Sequence, residues 1–249
     1  MIGSVERYSP AAGKRGTGLL ARRILRVLLI ALVLYLVVSR FLVSTYRIES
    51  VSMEPALHPA DRVVVSSIAY GPRVPFTASR LPGSGSPERG DLVVVQPPFV
   101  VEPSLVARIF EPLANFLSLQ KATLHRDLYG GRVNGYLVKR VIGIPGDTVR
   151  LANFSASLKP RGGSDFIPEG QLIHTHYQIQ TALDARGWSS SYPFSGNSED
   201  IRLGNDQYFV LGDNRTESSD SRSWGPLTRD RIVGKVVYRY WPPRALGTP

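Results

Sequence analysis

Ser52 and Lys139 are the residues whose types could carry covalent chemistry in this chain. A serine hydroxyl is a poor nucleophile until a neighbouring base takes its proton. His58 follows Ser52 by six positions, and no aspartate is spaced to complete a conventional triad with them. A neutral lysine can serve as that base instead. Its ordinary pKa of about 10.4 must then fall by several units, which burial among apolar groups achieves. Leu137-Val138 before Lys139, and Val141-Ile142 just beyond it, offer such surroundings. A lysine in an amphipathic strand also fits a solvated sheet face, so the residues alone leave both readings open. The chemistry a serine–lysine pair would perform is acyl transfer.

The elements that must position the pair begin with an apolar run. Val27–Val38 is uninterrupted, and Ser39 and Arg40 then precede Phe41-Leu42-Val43. From Val27 to Thr45 the stretch counts 19 residues, about 28 Å as a helix, enough for a hydrocarbon core. Arg40 lies near one end, where its long side chain can reach the interface. Arg7, Lys14, Arg15, Arg22, Arg23 and Arg26 against Glu6 give the first 26 residues a net +5, half of the formal +10. A basic segment directly before an apolar helix suits anionic lipid headgroups and places that end in the cytoplasm. A buried core helix and a cleaved secretory signal are the competing readings. The run is apolar on all faces, and Val43-Ser44-Thr45 matches a cleavage site poorly, which favours an uncleaved anchor. No second stretch of that kind follows, so one span is expected.

Beyond Tyr46 the pattern is mainly that of strands. Arg62–Ile68, Asp91–Gln96, Tyr136–Ile142, Gln207–Leu211 and Arg231–Tyr240 are short and rich in β-branched or aromatic residues. Asn134-Gly135 is a hairpin-turn signal just before the lysine strand. Thr77–Gly90, Leu158–Gly170 and Arg186–Asp200 carry the Gly, Pro and Ser densities of surface loops. Leu105–Lys121 is the helical exception: Val106, Ile109, Phe110, Leu113, Phe116 and Leu117 recur near helical spacing, with Pro112 a break or kink. It fits a helix packed on the sheet, or an interfacial helix resting on a bilayer.

Composition excludes several classes. A length of 249 residues holds one large domain or two modest ones, with room for a core. Cysteine is absent, which rules out disulfides, thiolate metal sites and a cysteine nucleophile. The basic balance sits mostly before the apolar run, and no RNA-binding signature follows, so no nucleic-acid partner is expected. His174-Thr175-His176 could place two imidazoles on one strand face, but no third ligand stands at a suggestive spacing. No metal and no cofactor are expected. Asn153-Phe154-Ser155 and Asn214-Arg215-Thr216 match the glycosylation pattern, a common one.

Four motifs in order carry a resemblance. Ser50-Val51-Ser52-Met53-Glu54-Pro55, Arg89-Gly90-Asp91-Leu92-Val93-Val94, Lys139–Val149 and Gly212–Gly225 follow one apolar run. Their order and register resemble the type I signal peptidase family, membrane-anchored serine endopeptidases that remove signal peptides. The resemblance implies Ser52 as nucleophile and Lys139 as general base. It implies that the Ser218 hydroxyl orients the lysine amine, and that Ser50 joins the Ser52 backbone N–H in an oxyanion hole. Asp220 and Arg222 would form a structural ion pair, with Arg140, Asp213, Asn214 and Arg215 as scaffold. Ile48 and Val138 would help shape pockets for small substrate side chains, or serve simply as core. The chain departs from the usual pattern at Glu49, Val51 and Ala60, the last standing where glycine usually precedes the aspartate matched by Asp61. Thr216 and Glu217 replace the commoner Asp and Asn.

The fold implied is mainly β, with two antiparallel sheets of the signal peptidase type, one N-terminal transmembrane helix and minor helical insertions. The expected division is a basic cytoplasmic tail (1–23), an anchor helix (24–45) and an extracytoplasmic catalytic domain (46–249) with inserted loops at about 77–90, 100–130 and 155–205. The expected partners are exported preproteins and membrane lipids, at the outer face of the cytoplasmic membrane. Two other functions remain open: a peptidase dedicated to one pilus or conjugation precursor, and an inactive membrane adaptor.

Overall fold

The β-branched runs become strands of one long antiparallel sheet. The structure, a computed structural model, describes residues 13–73, 79–101, 126–127, 135–173, 177–181 and 196–249. Its strands are β1 (Val43–Arg47), β2 (Arg62–Ser66), β3 (Leu92–Val95), β4 (Val100–Val101), β5 (Arg126–Asp127), β6 (Leu137–Gly143), β7 (Thr148–Ala152), β8 (Ser155–Lys159), β9 (Ile167–Pro168), β10 (Ile201–Arg202), β11 (Gln207–Leu211), β12 (Leu227–Thr228) and β13 (Ile232–Trp241). Seven of them order as β1-β2-β13-β3-β6-β11-β12, four as β10-β7-β8-β9, and β4 pairs with β5. The expectation of a mainly β fold with two principal antiparallel sheets holds.

Burial explains the arrangement. In β2, Val63 and Val65 point inward while their neighbours are half-exposed, the alternation of a strand with one face covered. β3 is buried at every position, because apolar clusters lie on both of its faces: Leu92 and Val94 pack with Ile48, Met53 and Leu57, and Val93 and Val95 with Tyr70, Val141 and Val210. The smaller sheet is amphipathic. Its Val149, Leu151, Ala156 and Leu158 close over Ile142, Phe209 and Leu211 of β6 and β11. Each fully buried side chain of this size contributes about 1.5–3 kcal/mol of transfer free energy. The second sheet therefore braces the end of the large sheet that holds Lys139 and the strand leading into Gly212.

Several sequence expectations shift. The N-terminal helix covers Gly13–Phe41, and the chain from Val43 is strand rather than helix, so the anchor helix expected over 24–45 ends earlier. The reason is pairing: Val43, Ser44 and Thr45 lie opposite Ser66, Val65 and Val64 of β2. Leu42 alone separates the helix from β1. Among the described residues no helix is both long and apolar enough to cross a membrane. The region expected as an inserted loop over about 155–205 instead carries β8, β9, the one-turn helix Glu169–Leu172 and β10. Its strands are short and half polar, which hid them. The amphipathic segment Leu105–Lys121, the His174 and His176 pair, and Asn134 of the hairpin signal lie outside the described residues.

Candidate active site

Ser52 sits on a single 3-10 turn, Val51–Met53, a few residues after β1. Packing fixes that turn. Met53 and Leu57 are fully buried in one apolar cluster with Ile48, and Ile48 is tied by its own N–H to Asp61 O (2.8 Å) and by its carbonyl to Ala60 N–H (2.9 Å). Ala60, standing where the family pattern has glycine, holds φ 73°, in the left-handed region that glycine enters without strain. The departure thus has a local backbone cost.

Lys139 reaches the same point from β6, which lies between β3 and β11, with Val93 as its cross-strand neighbour. Its side chain is 1% exposed, and Nζ donates to Ser52 Oγ at 2.7 Å. The solvated-face reading of this lysine is therefore not the arrangement found. Burial draws its pKa down to about 8; the carboxylates of Asp220 and Asp213 pull it upward, and the Arg222 cation pushes it down. A neutral amine in this place reverses the contact and accepts the serine proton. Ser50, exposed, holds its Oγ 3.1 Å from Ser52 Oγ, so a second hydroxyl faces it from the open side. The side chain of His58 is exposed, and its backbone N–H donates to Asp61 Oδ2 at 3.0 Å.

The loop from Gly212 to Gly225 closes the back of the site. Asp220 caps the one-turn helix Ser221–Trp224, accepts the Gly212 N–H (3.0 Å), and grips Arg222 through Nε and Nη2 at 2.8 Å each. Arg140 grips Asp213 in the same two-pronged way, at 2.8 and 2.6 Å, and also donates to Gly90 O. These pairs are fully buried, so each charge depends on its partner. Asn214 N–H donates to Ser52 O at 3.1 Å, while its side-chain oxygen accepts from the Thr216 N–H and hydroxyl and from Glu217 N–H. Thr216 thus contributes a side-chain hydrogen bond to the turn despite departing from the family pattern.

Ser218 Oγ is buried and makes no hydrogen bond with the described residues. It lies against Gly212, where an added Cβ would stand 2.2 Å from Ser218 Oγ and 2.5 Å from Ser52 O. The Ser218 hydroxyl and the Ser52 carbonyl therefore both crowd the face of this glycine where a side chain would project. Ile48 is buried and Val138 half-buried, both in the apolar cluster that contains Met53. Sequence reasoning singled out neither Gly212, whose signal was its place at the head of the last motif, nor Glu169, whose carboxylate grips Arg215 of that motif from the second sheet. Among the described residues no three His, Asp or Glu side chains gather as a metal site.

Comparison with known proteins points one way. The chain is 28% identical over 222 residues to signal peptidase IB of Staphylococcus aureus strain N315, covering 86% of this chain and 85% of that protein. It is 29% identical over 218 residues to signal peptidase I of Leptolyngbya laminosa, covering 88% and 78% respectively. A crystal structure of a signal peptidase I from Enterococcus faecalis V583 aligns with 61% of this chain and 97% of its own, at 20% identity and a TM-score of 0.31. Residues 21–241 match the family described as signal peptidase, peptidase S26. Since that match spans most of its length and includes every residue of the site just described, the chain belongs to the signal peptidase family.

Proposed function

We propose that this signal peptidase removes signal peptides from exported preproteins with Ser52 as nucleophile and Lys139 as general base. The observation that carries the assignment is the 2.7 Å contact between Lys139 Nζ and Ser52 Oγ inside a buried pocket. Neutral Lys139 takes the hydroxyl proton as Oγ attacks the scissile carbonyl. The Ser50 hydroxyl and the Ser52 backbone N–H face the developing oxyanion, each such donor lowering the barrier by about 3–4 kcal/mol. Lys139, now protonated, passes its proton to the leaving amine. Water then attacks the acyl-enzyme with the same lysine as base. Ser218 Oγ, buried beside Gly212 and making no hydrogen bond to Lys139 in this structure, would orient the amine by turning onto it during the reaction, and the Asp220–Arg222 and Arg140–Asp213 pairs hold the loop that carries it. Ile48 and Val138 line the pockets for small substrate side chains.

The N-terminal helix serves as an uncleaved membrane anchor, its first residues towards the cytoplasm and the sheet from Val43 onward outside. Its Leu19, Leu20, Ile24, Leu25, Val27, Leu28, Leu29, Ile30, Val33 and Leu34 are all at least half exposed, and lipid would cover them. Protease added to intact spheroplasts should then digest the catalytic region and spare the tail. Resistance of the catalytic region would reverse the orientation.

The deciding experiment incubates detergent-solubilised protein with several preproteins, with Ser52→Ala and Lys139→Ala alongside. Cleavage of many substrates by the wild type, and of none by either variant, is expected. Full processing by either variant overturns the dyad, and cleavage of a single substrate identifies a dedicated enzyme.

A further inference from the structure

Glu169 lies outside all four sequence motifs, yet its carboxylate is the terminus of a buried chain of contacts that ends at the catalytic serine. Both of its oxygens are engaged by Arg215, at 2.7 Å to Nη1 and 2.6 Å to Nη2. Arg215 is wholly buried and Glu169 3% exposed, and they stand 46 positions apart in sequence. Two further donors of Arg215 reach backbone carbonyls. Nε donates to Gly212 O (2.9 Å), and Nη1 donates to Phe154 O (2.8 Å) in the turn between β7 and β8. Gly212 is the residue against which Ser218 Oγ and Ser52 O both pack.

A second line of contacts runs from the same carboxylate. Tyr177 OH donates to Glu169 Oε2 (2.7 Å), and the Tyr177 ring lies under the Arg140 guanidinium at 4.3 Å. Arg140 is the neighbour of Lys139 and grips Asp213. Three residues beyond Tyr177, Gln180 pairs with the loop as a short parallel bridge: its N–H donates to Asp213 O (2.9 Å), and its carbonyl accepts from Arg215 N–H (2.8 Å). Glu169 itself is fixed to the second sheet, since Oε1 also accepts the Ala156 N–H at 2.9 Å.

We propose that Glu169 is a positioning residue: acting through Arg215, it sets the depth at which Gly212 holds Ser218 and the Ser52 carbonyl, and so the alignment of Ser52 with Lys139. The inference rests on the serine–lysine reading. A two-pronged carboxylate–guanidinium contact fixes distance and angle together, which a single ionic contact does not. Shifting it by one methylene keeps the charge pair but moves the loop. Displacements on the order of 1 Å in such a site cost large factors in rate while leaving distant binding contacts in place. Opening the loop also admits water to Lys139, which restores part of its ordinary basicity.

The test uses the full chain in detergent, with steady-state cleavage of one preprotein and a thermal melt for each variant. Glu169→Asp should lower kcat roughly tenfold at unchanged KM and move the alkaline rise of kcat/KM to higher pH. Tyr177→Phe, which removes one hydrogen bond and no charge, should lower kcat by a smaller factor in the same direction. A role confined to stability would lower the melting temperature while leaving kcat per folded molecule and the pH profile as in the wild type, and that result overturns the proposal. If Glu169→Asp does not fold, Tyr177→Phe decides alone on the same criteria. Ser52→Ala in parallel keeps the two readings apart: its residual cleavage would overturn the dyad, whereas an inert Ser52→Ala beside a fully active Glu169→Asp overturns the positioning role only.

Discussion

The backbone N–H of Asn214 donates to the carbonyl oxygen of Ser52 at 3.1 Å, so the loop after β11 holds Ser52 by its main chain. That bond needs the two backbones to approach closely, and Gly212 is what allows it. Gly212→Ala would force a methyl group to 2.2 Å from Ser218 Oγ and 2.5 Å from Ser52 O. The expected result is a loss of about 1–3 kcal/mol in stability and of about a hundredfold in kcat, read from denaturant melts and preprotein cleavage. Wild-type kcat would refute the close approach.

Lys139 supplies the pH dependence. Its folded pKa of about 8 lies below the unfolded value of about 10.4, so between those values the unfolded chain binds the additional proton. Stability therefore rises with pH across that window, and below it the buried cation is a standing cost. Cleavage should rise as pH passes about 8 and the amine becomes neutral. Lys139→Met should be inactive yet more stable than the wild type at pH 7, by up to about 3 kcal/mol, with the gain fading towards pH 10. A Met variant that melts lower at pH 7 would contradict the burial argument.

Ser218 separates stability from activity. Its hydroxyl is buried without a partner among the described residues, a situation that disfavours the folded state. Ser218→Ala should leave the melt within about 1 kcal/mol of the wild type while reducing kcat by roughly one to two orders of magnitude. Unchanged kcat would remove Ser218 from the lysine's orienting contacts.

Asp220→Asn leaves Arg222 wholly buried beside a neutral amide. Breaking such a pair costs about 3–5 kcal/mol. The loss should appear as a lower denaturation midpoint with an unchanged slope. An effect below about 1 kcal/mol would mean that water reaches the pair.

Ala60→Gly relieves the left-handed strain at φ 73°. The net gain should be about 1 kcal/mol or less, because glycine also frees the unfolded chain. A lower melting temperature for the glycine variant would show that the Ala60 methyl contributes more by contact than it costs in strain.

Much of the large sheet was legible because its strands are buried runs rich in β-branched or aromatic residues, a pattern that survives in sequence: Leu92–Val95 and Gln207–Leu211 fall within or on the expected runs. Ser52 and Lys139 were legible as types, but their pairing required the resemblance, since a lysine flanked by apolar residues is also what a solvated face looks like. The second sheet was not legible. β7 and β8 each bury two side chains and expose or half-expose the other three, and their turn sits in Asn153-Phe154, both at positive φ, where neither Gly nor Pro marks it. Glu169 could not be found for a different reason. Its partner lies 46 residues away, and a glutamate in a Pro-Glu-Gly stretch looks like any loop carboxylate.

The junction at Leu42 has a mechanical consequence. Helix gives way to sheet with one residue between them, so the catalytic region has almost no slack on its tether. If the helix is held in a bilayer, as proposed, Ser52 would sweep a thin layer at a set height rather than a hemisphere of solution. A substrate confined to that layer meets it at a high effective concentration, and one released into bulk water does not. Under that anchoring, selection of substrates would begin as a matter of reach, before any pocket reads a side chain.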